Sequence, residues 1–97
     1  MSPHERTKQF LAGYFHEDWN LDHRSFEEAV ALYLSGRSAA EERLDVARHL
    51  EWLLDEHDEP SLREVLYRTY GCCYTPGPEA GAMQRWLRAI VELLRRG

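Results

Sequence analysis

The chain has 97 residues, a formal net charge of −5 and 43% hydrophobic residues, enough for one modest core in a single domain over residues 1–97. The acidic balance argues against a binder of nucleic-acid phosphates, whose affinity comes from clustered Lys and Arg. There is no apolar run long enough to span a membrane and no apolar core of a secretory leader, and the adjacent Cys72-Cys73 makes no disulfide framework, so a reduced cytoplasmic protein is expected.

Serine followed three residues later by glutamate recurs ahead of four helical patterns, as Ser2…Glu5, Ser25…Glu28, Ser38…Glu41 and Ser61…Glu64. Each fits a capping box, in which the serine oxygen accepts from an amide of the first turn. Pro3 stands just after Ser2, where its missing N–H costs nothing. The spacing predicts helices over 3–15, 26–35, 39–57, 62–70 and 82–96. Gly36, Gly71 and Gly97 are expected stops, and Pro60 is expected to close the third helix. No segment alternates in the manner of a strand, so the expected fold is an all-α bundle of about five helices.

In the second helix Phe26, Ala29, Val30 and Tyr33 are expected to bury, and in the fourth Leu62, Val65 and Leu66, with Tyr70 near its end. The last helix turns Met83, Trp86, Leu87, Ile90, Leu93 and Leu94 to one side and its arginines to the other. The loop 73–81, with two prolines and two glycines, is expected to lie over the bundle in a fixed conformation.

The third helix is less simple. Val46, Ala47, Leu50, Leu53 and Leu54 form its apolar stripe, but Trp52 falls on the opposite side among Glu41, Asp45, Arg48, His49, Asp55 and Glu56. A tryptophan ringed by charge is either an interface anchor or a ring covered by another part of the chain. Residues 25–60 hold ten carboxylates against three arginines, a balance of −7, and residues 61–97 a balance of +3. Such a run is either a solvated face or an acidic surface for a basic partner.

Catalytic patterns are absent. Asp45 and His49, four apart, could pair or supply two metal ligands, but a zinc site needs three or four. No Cys-x-x-Cys, phosphate loop or nucleophile elbow occurs. No enzyme activity, metal or cofactor is expected. Arg63, Arg68, Arg85, Arg88, Arg95 and Arg96 are the residues a nucleic-acid contact would use, against the acidic balance.

Tyr14-Phe15-His16-Glu17-Asp18-Trp19 packs three rings into six residues, and Ser25-x-Glu27-Glu28-Ala29 follows. Further on come Tyr70-Gly71-Cys72-Cys73-Tyr74-x-Pro76, Gly81 and Trp86-Leu87. In this order the stretches resemble a small all-helical branch of the immunity proteins of bacterial contact-dependent growth inhibition. Thr75 and Ala80 depart from the acidic residue and the Asp expected there. The resemblance implies a cytosolic protein that binds and neutralises a cognate toxin domain, many such toxins being nucleases with basic clefts. A helical adaptor with an endogenous partner is the alternative, and a monomer is expected.

Within the hexamer, Tyr14 and Phe15 continue the spacing of the first helix and are expected to bury with Leu11. Trp19 is expected to pack where the chain leaves that helix, Asp18 to cap or hydrogen-bond, and His16 and Glu17 to border the surface. Binding is expected elsewhere, with Trp52 as anchor and Asp45, Asp55, Glu56, Glu27 and Glu28 as complementary charge.

Overall fold

The ends of each helix leave backbone amides and carbonyls without intrahelical partners, and short polar side chains take up several of them. The computed structural model describes residues 2–16, 25–35, 40–74, 76–77 and 79–96. Glu17, Asp18, Trp19, Gly36, Ser38, Thr75 and Gly97 lie outside the described residues, and with them the expectations placed on those positions. Within the described residues there are five helices and no strand: α1 Pro3–Tyr14, α2 Phe26–Ser35, α3 Ala40–Glu56, α4 Glu59–Arg68 and α5 Ala82–Arg96.

Ser2, in extended backbone, accepts from the Glu5 amide at 3.1 Å, and Pro3 opens α1. Ser25 accepts from the Glu28 amide at 3.2 Å and opens α2. The start of α4 corrects the sequence reading. Asp58, not Ser61, is the cap, accepting from the Ser61 amide at 3.0 Å, and Pro60 stands in the first turn of α4 instead of closing the helix before it. Both residues suit a helix start, because an aspartate caps as well as a serine and proline is tolerated in a first turn. The Ser61…Glu64 box was a coincidence of spacing.

At the centre, α3 packs along α5, and α1 covers another side of α3. α2 and α4 both lie against α5, and α2 also touches α1. The core joins Phe10 and Leu11 of α1, Ala29 and Val30 of α2, and Val46, Leu50 and Leu53 of α3 with Leu62, Leu66, Leu87, Ile90 and Leu94. Phe10 and Tyr33 meet at 4.6 Å between ring centroids and fasten α1 to α2. A radius of gyration of 12.3 Å fits one core of this length.

Candidate functional site

The described residues of the two signature stretches meet at Phe15, Cys73 and Tyr74. Phe15, at the C-cap of α1, is fully buried, and its carbonyl accepts from the Cys73 amide at 2.7 Å. Its ring stands edge-on to Trp86 at 5.2 Å and to Tyr74 at 5.9 Å. Tyr74 lies flat on Trp86, with centroids 4.5 Å apart and an 8° tilt. Phe26 closes the cluster from α2. Tyr14, partly buried, packs on Tyr33, while His16 and Pro76 are half-buried.

Gly71 makes the approach possible. Its φ of 67° is in the left-handed region, and a Cβ there would lie 3.3 Å from that of Ala12. The turn lets the Cys72 amide donate to the Leu66 carbonyl at 3.0 Å. Both cysteines are free thiols, and burial pushes Cys72 up to about 12. At neutral pH that thiol is protonated and no nucleophile. These motif residues build core and turn.

The outer side of α3 differs. Trp52 is 51% exposed, resting on the His49 ring at 5.4 Å with a 34° tilt. Asp55 and Glu56, one turn further along α3, are exposed, and no ion pair holds either among the described residues. The Asp45 carboxylate is committed inside the fold, accepting from Arg6 of α1 at 2.8 Å. Asp45 and His49, which the spacing allowed to pair, each meet a partner from another element instead. Glu51 of α3 pairs with Arg95 of α5. Glu27 and Glu28 are exposed on α2, which packs against α5 and α1. The expected binding set is thus split: Trp52, Asp55 and Glu56 share one stretch of α3, Asp45 is engaged beside it, and Glu27 and Glu28 stand on a separate helix.

Behind Trp52 is a cluster that the sequence did not announce. The Tyr70 hydroxyl lies 2.7 Å from His49 Nε2 and 3.0 Å from His4 Nδ1. The two imidazoles meet edge-on at 5.6 Å. Burial, and then the charge of His4, hold His49 below the ordinary histidine value, and burial pushes Tyr70 up. His4 is 66 residues from Tyr70, so no local spacing could reveal the contact.

Between α3 and α5 runs an open groove of about 430 Å³ with Leu54 and Val91 in its floor and Glu51, Asp55, Arg88 and Arg95 around it. Charges of both signs alternate there, so it offers no single-sign field. Among the described residues no three His, Cys, Asp or Glu side chains are placed to hold a metal, and no helix is long and apolar enough to cross a membrane. Two other large apolar side chains are exposed, Leu32 of α2 and Tyr67 of α4.

A family model described as CdiI immunity protein matches residues 4–94. No curated protein and no solved structure matches the chain.

Proposed function

Because the chain belongs to the CdiI immunity protein family, whose members neutralise toxins, we propose that it binds its cognate toxin domain through the outer side of α3. Trp52 is the anchor in this reading, and Asp55 and Glu56 supply the charge around it. The supporting observation is the half-exposed Trp52 ring next to two carboxylates that no ion pair holds among the described residues. An indole face attracts a cation, and two adjacent carboxylates reinforce it, so the fitting partner group is a Lys or Arg on a basic surface. A nuclease cleft is such a surface. The protein acts by occupying the toxin in the cytoplasm, without catalysis of its own. Glu27 and Glu28 on α2 add long-range attraction, while Asp45 is engaged by Arg6 and has no part in the contact.

The test is co-expression with the toxin domain encoded beside this gene, scoring growth rescue and complex formation. Truncation of a buried interface anchor costs about 2 kcal/mol or more, so Trp52→Ala is expected to weaken binding roughly thirtyfold. Asp55→Asn with Glu56→Gln is expected to slow association and flatten its salt dependence. Unchanged toxin affinity in a folded Trp52→Ala chain removes the anchor assignment.

A further inference from the structure

The ring that backs Trp52 is itself held by one hydroxyl shared between two imidazoles. A tyrosine hydroxyl has one proton to donate and can accept at its oxygen. With both histidines neutral, Tyr70 donates to one ring and accepts an N–H from the other. With one histidine charged, the imidazolium donates to the oxygen and the hydroxyl proton still serves the neutral ring. With both charged, two N–H groups point at one oxygen, the hydroxyl proton has no acceptor in the trio, and two cations face each other at 5.6 Å. The trio therefore tolerates one added proton but not two.

We propose that His4, Tyr70 and His49 are positioning residues for Trp52, a mount that stays closed while one imidazole is neutral and opens when both are charged. This rests on the reading of Trp52 as the toxin contact and adds a pH dependence to it. Three elements meet at the mount. α1 brings His4, with Arg6 two residues on and tied to Asp45. α3 brings His49, Trp52 and, one turn earlier, Asp45. The turn after α4 brings Tyr70, which is 2% exposed. α5 meets α3 on another flank, where Glu51, Asp55, Arg88 and Arg95 line the groove.

The direction of the pH effect follows from His49. Its folded value lies below the ordinary one, so the unfolded chain takes the proton more readily. The stabilisation is fully present above the ordinary histidine value of about 6.5 and is lost as pH falls through the lower folded value.

The probe is fluorinated tryptophan incorporated throughout, followed by fluorine NMR between about pH 8 and pH 5. Trp52→Phe identifies the Trp52 resonance by its disappearance. In the otherwise unchanged chain that resonance should move on acidification, with a midpoint below that of an ordinary histidine. Tyr70→Phe keeps the buried ring but removes the bridge, and should place the resonance near its acid position already at neutral pH. His4→Ala, at an exposed position, removes the second cation, so a charged His49 should be tolerated and the acid movement lost; this variant serves even if Tyr70→Phe folds poorly. His49→Gln can still pair with the hydroxyl but does not titrate, and should abolish the movement.

A Trp52 resonance indifferent to pH in the folded chain, or an acid movement that persists unchanged in His4→Ala, overturns the mount. Toxin binding is read separately: Tyr70→Phe should weaken it about three- to tenfold, and not at all in a Trp52→Ala background. If the resonance behaves as expected while Trp52→Ala binds toxin normally, the mount stands and the assignment of Trp52 as toxin contact falls.

Discussion

Glu59 is expected to matter more to stability than any other carboxylate of the acidic middle. It sits in the first turn of α4, yet its oxygens accept from the Met83 and Gln84 amides at 2.9 and 3.0 Å, in the first turn of α5. Those are amides with no intrahelical partner, so a side chain from one helix caps another. Arg63 donates to the same carboxylate at 2.8 Å and to the Gly77 carbonyl at 2.6 Å, which ties the loop into the arrangement. Loss of a cap costs about 0.5–2 kcal/mol, and the negative charge at a helix N-terminus adds roughly 0.3–1 kcal/mol. Glu59→Ala should therefore cost about 1–3 kcal/mol. Glu59→Gln, which keeps one acceptor oxygen but no charge, should cost about 1 kcal/mol, or a melting temperature lower by roughly 4–8 °C.

The same contacts fix the pH dependence. Burial alone pushes the Glu59 carboxyl up, but the Met83 and Gln84 amides and Arg63 outweigh it and hold the group below the ordinary value. A depressed carboxylate stabilises the fold above its unfolded value, and that contribution disappears as pH falls through the folded one. Urea unfolding of both chains should show the gap between wild type and Glu59→Gln at about pH 7 and its closure in acid below the ordinary glutamate value of about 4.3. A gap that is absent at neutral pH, or that persists unchanged in acid, refutes the capping role.

Gly71→Ala puts a Cβ on a backbone at φ 67° and 3.3 Å from Ala12, so thermal unfolding should show a loss of about 1–2 kcal/mol. Asp45→Asn loses a partly exposed ion pair with Arg6, costing under about 1 kcal/mol by urea unfolding, and should leave toxin affinity nearly unchanged. Cys72, buried and held protonated, should resist alkylation in the native chain at neutral pH and react on unfolding, as followed by mass spectrometry.

The helices were legible because their signals are local. Ser2, Pro3 and Ser25 lie within one turn of the helices they start, and the period of Met83, Trp86, Leu87 and Ile90 reports a single buried side. The start of α4 was misread for the same reason, since Asp58 and Ser61 are both good caps a turn apart and only tertiary packing chooses between them. Glu59 makes the choice intelligible: starting α4 at Glu59 aligns its carboxylate with the amides of α5, 24 and 25 residues away.

The candidate site was legible only where a residue breaks the pattern of its own helix. Trp52 did so, as a large ring opposite the stripe of Val46, Leu50 and Leu53, and it is exposed. The partners of its neighbours Asp45 and His49 were hidden because each belongs to another element. Spacing along α3 offered Asp45 as the neighbour of His49, whereas Arg6 and Tyr70, 39 and 21 residues away, are the groups that meet them. The carboxylates of residues 25–60 do not form one field, because Asp45, Glu51 and Glu59 are neutralised by arginines of α1, α5 and α4. What remains to face a basic partner on α3 is more local than the sequence total, and it is centred on Trp52, the exposed indole of that helix.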